Sequence, residues 1–440
     1  MTSMTRPHPQ IHHHTGPSAQ RTDRLLPRDG ARSWPDHLAR WGSPAGGTGA
    51  NLTDNLTLAG LLGRGGAGFP TGRKVASVLT AVRRFRVPAV VVANCCEGDP
   101  TSLKDQVLVH HSPQLIIDGA IAAAEVVGAD RVVLAVHQGS GTERTLRSAV
   151  AERPVGPIGL DVVGIPGRYI ASEATSLVRF LNTGDARPAG KLVPIWESGV
   201  DGRPTLVHNA ETLAHLALLT RFGPNWFAGV GTAAEPGTCL VTIGGAVPRP
   251  GVVEMPNGAP LREVLASAGA SSTGWALLGG VSGRWIDLQQ LAELPYSTAT
   301  LAAAGLARGV GSIVVLPPGG CVLGETARIL GFQAHAGARQ CGPCMFGLPA
   351  IAADMADLGA GDRAALTRLQ RRLPVITGRG GCGHPDGAVA LAASALNVLT
   401  VRQPSHLAQH LNTGRCGAPP PVVPLGPGLS TTDKTGIGRS

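Results

Sequence analysis

Apolar positions along the chain fall into three unlike patterns, one after another. Residues 87–93 (Val-Pro-Ala-Val-Val-Val-Ala) are apolar throughout, with the proline near the start, as a buried strand requires. Residues 113–127 carry apolar side chains at helical spacing. Residues 131–136 form a second apolar run, and residues 141–152 a second helical pattern. Strand, helix, strand, helix predicts an α/β domain with a parallel sheet. The pattern then changes. Residues 238–243 read as a strand, 244–251 as a Gly/Pro turn and 252–255 as a hairpin partner. A short helix follows at 260–267, its proline in the tolerant first turn, then an apolar run at 276–281. A unit of this size and order predicts a β-grasp. From residue 320 the spacing is helical again, over 321–330, 348–358, 363–373 and 387–399, which predicts a four-helix bundle.

The ends carry no such pattern. Residues 1–50 are rich in Pro, His, Arg and Gly and are expected to be disordered or loosely docked, and residues 413–440, rich in Pro, Gly, Thr and Ser, are expected to be a disordered tail. At 440 residues the chain is long for one core. The expected domains are 51–235, 236–319 and 320–412. The net charge of +9 invites a nucleic-acid reading, but the two ends supply about +5 of it and aromatics are only 3%. Few aromatics leave few platforms for bases, so nucleic acid is not an expected partner. The longest apolar stretch, 115–136, is broken by Asp118, Glu125, Asp130 and Arg131, and no transmembrane segment or signal peptide is expected. Eight cysteines in a chain expected to be cytoplasmic indicate metal or redox chemistry rather than disulfides.

Three stretches carry candidate chemistry. Residues 63–74 (Gly-Arg-Gly-Gly-Ala-Gly-Phe-Pro-Thr-Gly-Arg-Lys) place five glycines within ten residues. Bare N–H groups followed by a lysine suit a phosphate. Gly63, Gly65 and Gly68 match Gly-x-Gly-x-x-Gly, but no strand leads into Gly63, and no Walker A lysine–hydroxyl pair is present. The second stretch is the polar turn 94–105, which follows the first strand where α/β folds place ligands. Its Glu97 and Asp99 either grip ribose hydroxyls or cap the next helix. Cys95 and Cys96 are either a redox pair or two small buried residues. The third is Cys341-Gly-Pro-Cys344 with Cys382 far along the chain, which forms most of a metal site. Cys239 and Cys321 read as ordinary apolar positions.

The loop 63–74 and the turn 94–105 resemble the two signature segments of the flavoprotein (51-kDa-type) subunit of respiratory complex I. The flavin subunits of NAD-reducing hydrogenases and formate dehydrogenases are of the same family. Residues 169–177 (Tyr-Ile-Ala-Ser-Glu-Ala-Thr-Ser-Leu) resemble its Tyr-Ile-Cys-Gly-Glu-Glu-Thr-Ala-Leu, and residues 204–213 its Pro-Thr-x-Val-Asn-Asn-Val-Glu-Thr-Leu. The resemblance spans about residues 55–400 and implies an FMN-binding α/β domain, an SLBB-like β-grasp and a bundle with an iron–sulfur cluster. It implies that Gly63, Arg64, Gly65, Gly66, Ala67, Gly68 and Lys74 hold FMN with Asn94, His208 and Asn209. Phe69, Glu97, Asp99, Glu173 and Lys191 would hold NADH.

Departures matter as well. Cys96 stands where the family has Asp, Ala174 replaces a glutamate, His208 replaces an asparagine, and Ser77 and Pro194 replace two adenine-stacking phenylalanines. FMN is therefore implied more strongly than NADH. The cluster ligands map onto Cys341, Cys344 and Cys382, with Ala338 at the fourth position. Three thiolates suit a 3Fe–4S cluster, or a 4Fe–4S cluster with an outside ligand such as His335 or Cys416. Zinc on Cys341, Cys344, Cys382 and His384 is an alternative, as is an empty site. The implied activity is NADH oxidation through FMN, with single electrons passing to a ferredoxin-like or thioredoxin-like iron–sulfur protein or a membrane acceptor. The alternatives are an FMN shuttle without NADH and a zinc-held scaffold.

Overall fold

The computed structural model describes residues 10–12, 23–43, 49–190 and 193–426. The chain enters through a short strand, β1 (Gln10–His12), and two helices, α1 (Trp34–Trp41) and α2 (Gly49–Leu58). The glycine loop joins α2 to α3 (Thr71–Phe85), so Lys74 lies in the first turn of a helix and the motif is helix–loop–helix.

The first sheet is fully parallel, in the order β4-β3-β2-β5, with β2 (Ala89–Asn94), β3 (Ala129–His137), β4 (Gly159–Ile165) and β5 (Thr205–Asn209). The helices between them are α4 (Lys104–His111), α5 (Pro113–Val127), α6 (Gly141–Ala151), α7 (Ala174–Thr183) and, after β5, α8 (Ala210–Ala228). Strand alternation divides β2 between two cores. Ala89, Val91, Ala93 and Cys95 pack among the α5 and α8 side chains, while Val90, Val92 and Cys96 pack with α7. This explains the continuous apolar run, since both faces are covered. It also puts the free thiols of Cys95 and Cys96 in opposite cores. Helices α5 and α8 touch backbone to backbone at Gly119, where an added Cβ would lie 1.8 Å from the Leu213 carbonyl oxygen.

The second sheet contains β6 (Thr238–Gly245), β7 (Gly251–Pro256), β8 (Trp275–Leu278), β9 (Arg284–Asp287) and β10 (Ser312–Val315), in the order β1-β7-β6-β10-β8-β9. Helices α9 (Leu261–Ser267) and α10 (Thr298–Ala303) accompany it. The bundle is α11 (Val322–Ala336), α12 (Leu348–Gly359), α13 (Arg363–Ile376) and α14 (His384–Asn397), with a further α15 (Pro404–Thr413). Among the described residues no helix is long and apolar enough to cross a membrane.

Both ends correct the expectation of disorder where they are described. Leu25, Leu26 and Ala31 are buried, the Leu25 and Leu26 amides donate to Glu254, and β1 pairs with β7. At the other end Val423 is buried, and the amides of Val422 and Val423 donate to Glu325 Oε1. These segments have too few apolar residues to fold alone, so they show no periodicity. They are ordered by surfaces that other parts of the chain supply.

Candidate functional site

In the first sheet the parallel register places Asn94, the last residue of β2, opposite Asn209, the last residue of β5. A cavity of about 280 Å³ opens at these strand ends. That lies near the lower end of the range for ligand sites. All three domains line it: Arg64, Gly65, Asn94, Glu97, Asp99, Glu173 and Asn209 from the first, Ser282 and Val310 from the second, Cys382 and His384 from the third.

Each sequence-predicted residue within the described segments has a definite place. The Glu97 carboxylate accepts from Ser102 Oγ and from the amides of Asp105 and Gln106, so it caps α4. Asp99 accepts from the Thr101 amide and hydroxyl, and its other oxygen takes the Val281 amide, tying the first domain to the second. Glu173 caps α7 through the amides of Thr175 and Ser176. All three carboxylates therefore border the cavity while already engaged in the fold. Gly63, Gly66, Ala67 and Gly68 line a second cavity of about 200 Å³, which shares Arg64 and Lys104 with the first. The Phe69 ring is half-exposed, with the Arg73 guanidinium 5.7 Å from its centre. His208 is buried with Nε2 unpartnered. Lys191 lies outside the described residues.

Beside the cavity is a charge cluster that sequence reasoning missed. Lys104 Nζ lies 2.7 Å from Asp105 Oδ1, 3.0 Å from Glu211 Oε2 and 3.2 Å from Asn209 Oδ1. Burial alone would lower the Lys104 amine, but the carboxylates of Asp105, Glu211 and Glu97 hold it above its ordinary value. Burial, with the Asp105 charge second, pushes the Glu97 carboxyl up to about 7. Lys74 differs. Its Nζ donates to the Val207 carbonyl at 2.5 Å, no carboxylate pairs with it among the described residues, and burial pulls it down to about 8.

Cys382 borders the cavity, and its thiol is raised by burial first and by the charges of Glu173, Cys344 and Cys341 after that. Cys344 sits in one wide helical turn, Pro343–Gly347, and its sulfur accepts the Arg339 amide at 3.3 Å. Gly337 makes room for it, since a Cβ there would come within 2.5 Å of Cys344 Sγ.

Comparison with known proteins fits this layout. A model described as the Nuo51 FMN-binding domain matches residues 56–218, an SLBB domain model residues 240–277, and the NADH-ubiquinone oxidoreductase-F iron-sulfur binding region residues 325–400. The second F-type subunit of NADH-quinone oxidoreductase from Rhizobium meliloti (strain 1021) is 30% identical over 79% of this chain and 86% of its own. The chain belongs to the family of NADH-quinone oxidoreductase F-type subunits. The NADP-reducing hydrogenase subunit HndC of Solidesulfovibrio fructosivorans is 28% identical over 76% of this chain and 72% of its own. A crystal structure of an NAD+-reducing [NiFe]-hydrogenase in the H2-reduced state superposes with a TM-score of 0.75 at 26% identity. It covers 91% of this chain and 67% of the hydrogenase chain. The protein is thus an oxidoreductase of NADH-oxidising electron transfer, with an FMN-binding domain and a 4Fe–4S binding region. Its relatives include subunits of multi-subunit enzymes.

The residues present fit both groups of this family. The buried Lys74 cation without a carboxylate suits an anionic ligand, and the Gly65 side of the loop leaves the Asn94 and Asn209 strand ends uncovered. In the bundle, Cys341, Cys344 and Cys382 adjoin, but with His384 they do not converge tightly enough for a single ion. His384 Nε2 lies 2.8 Å from the Gln333 carbonyl oxygen. What favours a cluster over zinc on these four residues is the match of residues 325–400 to an iron-sulfur binding region. His335 is exposed, and Cys416 lies with Cys321, His406 and His410. Cys321 is buried in the apolar core of the bundle, as an ordinary apolar position would be, and its sulfur also faces His406 and His410.

Proposed function

We propose that this chain is the electron-entry subunit of a larger assembly, taking hydride from NADH and delivering single electrons to a ferredoxin-like or thioredoxin-like iron–sulfur partner. The observation that carries this reading is that Cys382 and the loop residues Arg64 and Gly65 border one cavity. A flavin held at Asn94 and Asn209 would be next to a cluster held by Cys341, Cys344 and Cys382, with no intervening domain. FMN, when bound, supplies the exchange between a two-electron donor and one-electron acceptors.

The chain's own residues do the rest. Gly65 leaves room beside the strand ends, and Asn94 is held by its bond to the Ser172 carbonyl, 2.9 Å. Lys104 keeps a positive charge beside the cavity because two carboxylates flank it. Lys74, buried and without a carboxylate partner among the described residues, is the proposed partner of the anionic group. Phe69 offers a ring face to the adenine end of NADH, and Glu97, Asp99, Glu173 and Lys191 are the proposed polar contacts of its remainder. The partner engages a protein without a membrane-crossing helix among its described residues, so a membrane acceptor would be reached through another subunit.

Mixing NADH with anaerobically purified, FMN-saturated protein tests the reading. Bleaching of the flavin absorbance by NADH supports it. Bleaching by dithionite with none by NADH replaces it with a second reading, an FMN protein that exchanges electrons only with protein partners. Ser77 and Pro194 favour that second reading, since neither offers an aromatic face where the family has one.

A further inference from the structure

One cluster outside the flavin cavity has the chemistry of a metal site. Cys321, His406, His410 and Cys416 bring one ligand atom each to within 4.8 Å of one another, and no other such group of His, Cys, Asp or Glu is present among the described residues. We propose that these four side chains hold one zinc ion, which fastens the C-terminal segment to the head of the helical bundle.

The local structure aims each donor. Cys321 is the residue before α11, and its sulfur accepts the Gly324 amide at 3.1 Å, a bond that favours a thiolate. His406 and His410 are four residues apart on α15 and so share one face. Gly414 ends that helix in a left-handed conformation (φ 65°), which turns the chain back and brings Cys416 to the same place. The His406 and His410 Nε2 atoms lie 3.2 and 3.4 Å from Cys321 Sγ. Zinc–sulfur and zinc–nitrogen bonds of ordinary length in a tetrahedron put sulfur and nitrogen about 3.5 Å apart. The other ring nitrogen of His410, Nδ1, lies 2.8 Å from the Gly359 carbonyl oxygen. Donating there fixes the tautomer that leaves Nε2 free to bind a metal, the usual supporting contact of a histidine ligand.

Without an ion, two thiols and two imidazoles would face one another through weak S–H···N or N–H···S contacts alone. Four protein ligands leave no open position, so the site is structural rather than catalytic. It is also separate from the redox path: none of the four residues borders the flavin cavity or belongs to the Cys341, Cys344 and Cys382 set. What it would secure is the tail, whose Val422 and Val423 amides are held at Glu325 on the same helix as the Gly324 contact.

Metal analysis of the full chain, counting zinc and iron together, tests the proposal. The wild type should hold roughly one zinc per chain. His406→Ala and Cys416→Ser should each lose the zinc and keep the iron and flavin, while Cys344→Ala should lose iron and keep zinc. Should either zinc variant fail to fold, cobalt(II) exchanged into the wild type supplies an independent measure. The tetrahedral visible bands and thiolate-to-cobalt charge transfer are expected. The proposal is overturned if the wild type binds neither zinc nor cobalt in this way, or if zinc disappears with Cys344→Ala. It is also overturned if non-reducing peptide mapping finds Cys321 and Cys416 joined as a disulfide.

Discussion

The Arg64 guanidinium of the glycine loop meets the Glu235 carboxylate at 3.2 Å, where the first domain passes into the β-grasp. Arg308 reaches the same oxygen at 2.8 Å, and the Thr298 hydroxyl donates to it as well. Replacing that anion leaves two buried arginines short of a partner. Glu235→Gln should therefore cost on the order of 3 kcal/mol or more in urea unfolding. A loss below about 1 kcal/mol would mean that the loop is anchored by other contacts.

Gly119 tests the packing of α5 on α8. Because the atom in its way is the backbone oxygen of Leu213, no side-chain rotation relieves the clash. Gly119→Ala is expected to lower stability by about 3 kcal/mol or more. Gly331, in α11, has nothing within 4 Å of an added Cβ. Gly331→Ala should instead raise stability by about 0.5–1 kcal/mol. Thermal melts of both variants beside the wild type decide it, and similar losses in the two would refute the clash argument.

Glu254 predicts a pH dependence. Burial pushes its carboxyl up to about 7 from its ordinary 4.5, despite donors from Thr238, Leu25 and Leu26. A raised carboxyl binds its proton more tightly in the folded state. Its contribution is full below pH about 4.5 and is lost as pH rises through about 7, a difference of roughly 3 kcal/mol. Glu254→Gln removes the titration, so the stability of wild type relative to the variant should fall across that window and level off above it. A constant difference between pH 5 and 8 would contradict the burial effect.

Ala338, the position proposed for the fourth cluster ligand, can be given a thiolate. With three cysteines, one iron of a four-iron cluster lacks a thiolate from this chain and should leave on ferricyanide oxidation. Low-temperature EPR of the wild type should then show a three-iron signal. Ala338→Cys should retain its iron under the same treatment, and equal iron loss in the two proteins would count against the cluster lying between these residues.

Much of this architecture could be read from local pattern. Helices at 113–127 and 141–152 and the strand near 131–136 follow from side-chain spacing, because the periods of helix and strand are properties of a few adjacent residues. The glycine loop and the Cys341, Cys344 and Cys382 positions were likewise visible as letters in order. Other features depended on residues far apart in sequence meeting in space. Leu25 and Leu26 lie in a segment without periodicity and are ordered only because Glu254 and the core receive them. Glu97 and Glu173 cap helices that follow them within nine residues, a local arrangement that the turn already allowed for Glu97, and only the tie from Asp99 to the Val281 amide depends on tertiary contact. The pairing of Arg64 with Glu235, and the convergence of Cys321 with His406, His410 and Cys416, have no local signature at all. Spacing reports which face of an element is apolar, whereas the partner of a buried charge or thiol is chosen by how the finished elements pack.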